Sequence, residues 1–519
     1  MTVLEQAIPT SPPPAQPEHI GRARRGLFAA SHLAGQAILL NAISVPVMAF
    51  IIRGLGAERY GQWSTAAVLV SVASVLTNLG LRGTFVRSVA RDPHSARAAL
   101  AEQLGIRTIL SVFAALTVLA VVVILKYPPV VLRCTAVASL GILLGALTTT
   151  LSDLLQGLHR MSVYAAANFV GGLCLTALSV VVIWFGGGPV ALAVAYLAGP
   201  ALSTVMLLAF IRRKLFPVTA SWSRHQGWKH LKHSRFFAAQ QFANILITNQ
   251  ESLLLPKIVG SSVFGLFSAG LLLASRLVII PDALGSAFYP IIAESHARDP
   301  RAASRESVRF LLLSLIVCLP IVVVVLFFSG PLAHILFEKN WEVCQKVICI
   351  TIWSLPLMGI ESVMGYALNA AGRDARQARF TFYSATVSLL LAVILVMKFG
   401  LIGACWSFLL RSVVKIAFIA RLFARTFSPA LPVGRLAKIL ACSGAMAAGM
   451  WLMRCLSPTW SFTPAHRAGL WGWAALLATW SVQGALGLIA YTASLLALRI
   501  LRPGDLPLLL GRRQREILA

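Results

Sequence analysis

The sequence predicts an all-α polytopic membrane protein of about fourteen transmembrane helices, built as two parallel six-helix bundles around a central cavity with two extra C-terminal helices. Three observations lead there. Hydrophobic residues make up 58% of the 519 positions and charged residues only 12%, with a mean hydropathy of +0.80. Apolar runs of lipid-spanning length recur from end to end. A stretch that follows the first run returns after the seventh, so the chain carries an internal repeat.

Residues 1–26, opening MTVLEQAIPTSPPPAQPEH, are polar and proline-rich and lack the basic start and apolar run of a cleaved signal. They read as a disordered cytoplasmic tail. Spans are expected at 27–52, 62–83, 104–125, 132–156, 163–185 and 189–211, giving a first bundle over 27–211. In the first of these, His32 stands one turn before Gln36 and is read as either a proton switch or a packing histidine. Asp153, near the end of span four, reads as an interfacial residue. A basic cytoplasmic linker, 212–235, is too short to form a domain.

The second bundle, 236–425, holds spans at 236–258, 264–289, 309–329, 344–368, 380–398 and 401–421. Span seven contains an acid at membrane depth, Glu251, and such a group is expected to face protein or a wet cavity. Gln240, Asn244, Thr248 and Glu251 follow helical spacing and share one face, the pattern of a lined conduit or of polar contacts between helices. Arg276 lies in LLLASRLVIIPDALG on span eight, and Pro281 just after it is positioned to kink that helix. Arg276 is read either as a donor to an anionic cargo or as an ion-pair partner of Glu251 or Asp282. Glu361 in span ten is a buried acid that could pair with Arg411 or take part in ion coupling. Arg411 and Lys415, four residues apart on span twelve, share a face and either point inward or extend toward the membrane surface.

Two further spans, 437–456 and 470–498, fall in 426–498, and a basic tail closes the chain over 499–519. The eight cysteines are scattered without metal-ligand spacing, and no nucleophile elbow or phosphate-binding glycine loop is present. Neither a metal nor a cofactor is expected. The net charge of +28 would suggest nucleic acid in a soluble chain. Here roughly three quarters of the 45 Lys and Arg lie at span ends on the side of the N-terminus, which is the positive-inside pattern with both termini cytoplasmic. Nucleic acid is thereby excluded as a partner, while anionic membrane lipids are expected to meet those loops.

The repeat lays Arg53 to Ala66 on Lys257 to Gly270. It matches Arg53 with Lys257, Gly56 with Gly260, Tyr60 with Phe264, Gly61 with Gly265, Trp63 with Phe267 and Ser64 with Ser268; upstream, Gln36 falls on Gln240. Because each copy has an even number of spans, the copies cross the membrane in the same sense about an axis along its normal. A cleft is expected between them, lined by spans one, two, seven and eight.

The LGAERYG motif after span one, the IVGSSVFGLFSAG motif after span seven and the fourteen-span layout resemble the polysaccharide-exporter (Wzx-like) branch of the superfamily that includes the multidrug and toxic-compound extrusion (MATE) transporters. The resemblance implies a MATE-like fold and a non-enzymatic inner-membrane flippase. Its implied partners are an undecaprenyl-diphosphate-linked oligosaccharide, membrane lipids, a polysaccharide polymerase and a chain-length regulator. In such proteins a cationic cavity receives the headgroup, which points here to Arg53, Arg82, Lys257 and Arg276, and relatives often carry an acid near Glu251. A drug or cation antiporter, a flippase for the peptidoglycan precursor and a membrane polymerase or ligase are the competing readings. The last would need a large outer loop, and the outer loops here are short.

Overall fold

Among the described residues, a computed structural model of the chain contains helices and turns and no strand. The structure describes the backbone of residues 17–498 except 79–80, 222–223, 338–339, 429–431, 457–482 and 497, and side chains from 43 onward except at those positions and at 45, 224–240, 300, 374, 454 and 456. Residues 1–16, the first part of the expected span fourteen (470–482), the tail 499–519, and the side chains of His32, Gln36 and Gln240 lie outside the described residues.

Helix α1 (Pro17–Ser74) carries spans one and two and breaks at Gly56, where φ is 72°. It begins upstream of the expected span start at residue 27. A short α2 (Leu81–Arg91) leads into α3 (Ala96–Ile124), α4 (Pro129–Gly157), α5 (Met161–Trp184) and α6 (Pro189–Lys214), completing the first bundle. Helix α7 (Arg224–Ile258) opens the second bundle and takes up the last part of the expected linker.

Span eight is made of two helices, α8 (Ser261–Leu277) and α9 (Ile279–Arg298). The break at Val278 has a local cause: Pro281 has no N–H to bond the carbonyl four residues back, at Leu277, so the ladder is interrupted there. Next come α10 (Pro300–Phe327), a short α11 (Ser329–Leu336), and the pair α12 (Trp341–Thr351) and α13 (Ser354–Ala370) that forms span ten. Helix α14 (Asp374–Phe427) holds spans eleven and twelve, broken at Gly400 with φ of 54°. Then follow α15 (Val433–Leu456) and α16 (Gln483–Leu496). Among the described residues nine stretches are long and apolar enough to cross a bilayer, ten if the bent pair over residues 46–91 is one span, and one of the nine is the 53-residue stretch of α14. The chain is a multi-pass membrane protein whose helices follow the expected fourteen-span order.

The buried apolar residues show where the bundles meet. We call the side on which span one starts the N face and the opposite side the far face. One hydrophobic cluster joins both bundles toward the far face, from Ile52, Tyr60, Val122 and Val131 in the first to Leu266, Val322, Leu336 and Ile348 in the second. Toward the N face the cores are separate. Phe85, Leu100, Leu154 and Leu207 pack within the first bundle, and Ile292, Phe310, Val363 and Phe423 within the second. The bundles therefore share a seal at one face and have independent cores at the other.

Candidate functional site

The repeat motif builds the far-face seal. Gly56 and Gly260, which the repeat superimposes, both have positive φ, 72° and 105°, and each precedes the helix that crosses to the other bundle. Gly61 and Gly265 also coincide in the repeat, and here the helices touch backbone to backbone. A Cβ on Gly61 would fall 1.8 Å from the Ser261 carbonyl oxygen, and one on Gly265 would fall 1.9 Å from the Ala57 oxygen. No side chain fits at either position without parting the bundles.

The paired cations of the motif behave alike. Arg53 Nη2 donates to the His334 carbonyl oxygen at 2.7 Å, reaching from the first bundle to α11 of the second. Lys257 Nζ donates to the Leu125 carbonyl oxygen, reaching from the second bundle to the end of α3, and lies 5.3 Å from the Tyr127 ring centroid. Each bundle thus holds the other by a cation on a carbonyl. The expectation that Arg53 and Lys257 line the cavity is corrected by this placement. Both stand at the far-face ends of their spans, on helix-end carbonyls that lack partners within their own helices.

Arg276 is exposed at the end of α8, close enough to Tyr60 of the first bundle to act on it electrostatically. Arg82, also exposed, reaches toward the N-face end of α4. Its Nε lies 3.1 Å from Asp153 Oδ1, and its Nη2 donates to Gln156 Oε1 at 3.1 Å. Asp153 is not the interfacial residue the sequence suggested. It is buried and also receives Arg107 Nη2 at 2.9 Å, while Arg107, 1% exposed, donates to Thr150 and Asn78 as well. One carboxylate therefore serves two guanidinium groups, leaving this cluster net positive with Arg82 at its wet edge.

The second bundle holds the acids. Glu251 is 1% exposed and lies outside the lining of the cavity between α7, α9 and α13. Arg411 Nη1 donates to its Oε2 at 3.3 Å, and Ser407 and Gln250 donate to Oε1 at 2.9 and 3.0 Å. Arg411 also donates to the carbonyls of Ile247 and Thr248 and lies over the Phe408 ring. That guanidinium roofs the polar stripe between Thr248 and Glu251, so one helical face is wet below and closed above. The expected partners change accordingly. Glu251 is held by Arg411, and Glu361 by Lys415. Arg411 and Lys415 are drawn inward by acids on α7 and α13 and do not extend to the membrane surface.

Below that roof lies a cavity of about 330 Å³ between α7, α9, α13 and the second half of α14. Gln241, Asn244, Thr248, Asp282, Glu361, Ser362 and Lys415 supply its polar lining. The sequence pointed to all of these except Gln241 and Ser362. It did not reveal Gln250 or Arg107. Gln250 adjoins Glu251 and is as fully buried, and Arg107 lies within an apolar helix that starts earlier than hydropathy suggests.

Two bundles sealed at one face, with separate cores at the other and broken helices around a central pocket, are the architecture of the multidrug and lipid-flippase transporters. The solved structure of the lipid II flippase MurJ in an inward closed conformation aligns with a TM-score of 0.65 at 14% identity, covering 89% of this chain and 97% of that one. An inward-facing MATE multidrug transporter aligns with a TM-score of 0.59 at 13% identity, covering 77% and 99%. Residues 47–346 match the family described as polysaccharide biosynthesis protein, and the chain belongs to that family. It is 23% identical to the putative O-antigen transporter of Shigella flexneri over 74% of this chain and 94% of that protein. It is 20% identical to the probable low-salt glycan biosynthesis flippase Agl15 of Haloferax volcanii, over 68% and 74% respectively.

Proposed function

We propose that the protein moves polyprenyl-diphosphate-linked oligosaccharide repeat units from the cytoplasmic to the outer leaflet of a bacterial inner membrane, for exopolysaccharide, O-antigen or capsule synthesis. The observation that carries the reading is the asymmetric seal: the bundles share a core at the far face and keep separate cores at the N face, where Arg82 is exposed. Membership in a polysaccharide biosynthesis family and likeness to an O-antigen transporter give the cargo class. The bias of Lys and Arg toward the side of the N-terminus makes the N face cytoplasmic.

In this reading the diphosphate enters at the cytoplasmic mouth. Arg82 and Arg276 replace its hydration with fixed donors, and the lipid tail stays in the bilayer. Outward opening requires Arg53 and Lys257 to release the carbonyls of His334 and Leu125 and requires the Gly61–Gly265 contact to part. The cycle is alternating access with no covalent step, so the protein acts as a transporter and not as an enzyme. A polysaccharide polymerase and a chain-length regulator would take over the product. Each charge carried across is coupled to the membrane potential by roughly 2.3 kcal/mol per 100 mV.

Deletion of the gene tests the proposal. Surface polysaccharide should disappear and lipid-linked repeat units should accumulate, both reversed by the wild-type chain. Unchanged polysaccharide with altered drug sensitivity would contradict it in favour of drug antiport, and lysis on depletion would favour the peptidoglycan precursor.

A further inference from the structure

The cavity in the second bundle is net acidic, so phosphate does not explain it. Its charged lining is Asp282 and Glu361 against Lys415, and Lys415 is already held by Glu361. A diphosphate placed there would meet like charge. What the walls keep in reserve is hydrogen-bonding capacity. The side chains of Gln241, Asn244 and Asp282 make no hydrogen bond or ion pair among the described residues, and all three are exposed. Thr248 donates to the Asn244 carbonyl at 2.8 Å and retains its acceptor lone pairs.

These residues lie within spans seven and eight, where polar side chains facing lipid would be costly, and they converge on the cavity between α7, α9 and α13. Helix α7, which supplies Gln241, Asn244, Ile245 and Thr248 to the cavity, also packs against α1 of the first bundle. Ile245, Pro281 and Met358 add apolar surface among the polar groups. Two carboxamides, each both donor and acceptor, a free carboxylate and an apolar wall suit a pyranose, which offers adjacent hydroxyls on its edge and C–H groups on its face. The volume of about 330 Å³ lies within the range of small-ligand sites.

We infer that this pocket seats a sugar ring of the lipid-linked oligosaccharide while the diphosphate stays with the basic residues near the cleft mouth, and that it accepts neutral or amino-bearing sugars and rejects uronates. The inference rests on the flippase reading and deepens it. A site that places carboxylates against a substrate carboxylate discriminates by repulsion, and one that leaves amides unpaired discriminates against rings lacking the matching hydroxyl.

The test uses the purified full-length chain in proteoliposomes with three polyprenyl-diphosphate lipids: one without sugar, one with a neutral oligosaccharide and one with a uronate at the same position. Wild type should move the neutral glycan about tenfold faster than the uronate. Asp282→Asn should narrow that gap, and Gln241→Ala and Asn244→Leu should lower the ratio of glycan-bearing to sugar-free transport. Thermal unfolding of each variant confirms that it is folded, and the exposed Asp282 and Gln241 tolerate these changes best. Equal transport of neutral and uronate lipids by wild type, or unaltered ratios in all variants, would overturn the pocket assignment alone. Failure of wild type to move any of the lipids would overturn the flippase reading and this inference with it. Efflux of a cationic dye that is abolished by Asp282→Asn would overturn the inference in favour of a cation site.

Discussion

The first bundle gathers its charge around one acid at the N face, and the second around three acids on α7, α9 and α13. Asp153 answers two arginines, Arg82 and Arg107, and leaves positive charge at the edge of the cleft. In the second bundle Glu251, Glu361 and Asp282 outnumber Arg411 and Lys415, and the surplus carboxylate faces a cavity. Both bundles derive from one repeated plan, visible in the matched glycines and in the reciprocal reach of Arg53 and Lys257. The repeat preserved what seals the halves together, and the two interiors became different sites.

The largest effect that would sharpen this contrast comes from stranding a buried cation. Asp153→Leu leaves Arg107 unpaired and should cost about 3–5 kcal/mol of stability, read as a lower unfolding temperature in detergent. Glu251→Leu, which strands Arg411, should cost a similar amount, and the double variant Arg107→Leu with Asp153→Leu should recover much of the loss. A mild Asp153→Leu would break the claim that the first cluster is a desolvated ion network.

Next come the seal glycines. Gly61→Ala or Gly265→Ala introduces a Cβ against a facing carbonyl, an overpacking penalty of about 1–3 kcal/mol that falls on the far-face-closed state. Cysteines placed on the far face of the cleft should become more reactive in either variant, and equally so, because the contact is reciprocal. Removal of one latch cation, Arg53→Ala or Lys257→Ala, should act in the same direction with a smaller increase in far-face reactivity. The double variant should exceed either single one. Smallest in stability is Arg82→Ala: an exposed pair contributes about 0–1 kcal/mol, so unfolding should barely move while oligosaccharide transport falls.

Much of this was legible in the sequence. Hydropathy and charge bias revealed the spans, and the Gly56–Gly260 and Gly61–Gly265 registers revealed the repeat before any contact was visible. The stripe Asn244–Thr248–Glu251 was correctly placed on one helical face. Its division into a wet part and a roofed part depends on Arg411, which is brought to it from span twelve by the packing of α14 on α7. Pairings such as Lys415 with Glu361 depend on how helices rotate against one another, and periodicity within a single helix carries no such information. Arg107 falls just inside the start of span three, and its burial follows from Asp153 and Thr150, which α4 brings against it. The positions of Arg53 and Lys257 were predicted as equivalent, and that equivalence holds, but as a latch across the far face.

The central claim is that these two bundles rock so that the far-face seal opens as the N face closes, carrying a sugar-diphosphate head across. Spin labels at Arg91 and Arg298, exposed on the N face of the first and second bundles, and at Lys126 and Lys398 on the far face, measure it directly in a background free of the eight native cysteines. Adding polyprenyl-diphosphate-linked oligosaccharide to the reconstituted protein should shorten the N-face distance and lengthen the far-face distance together. Distances that stay fixed, or that change at one face alone, would contradict the account.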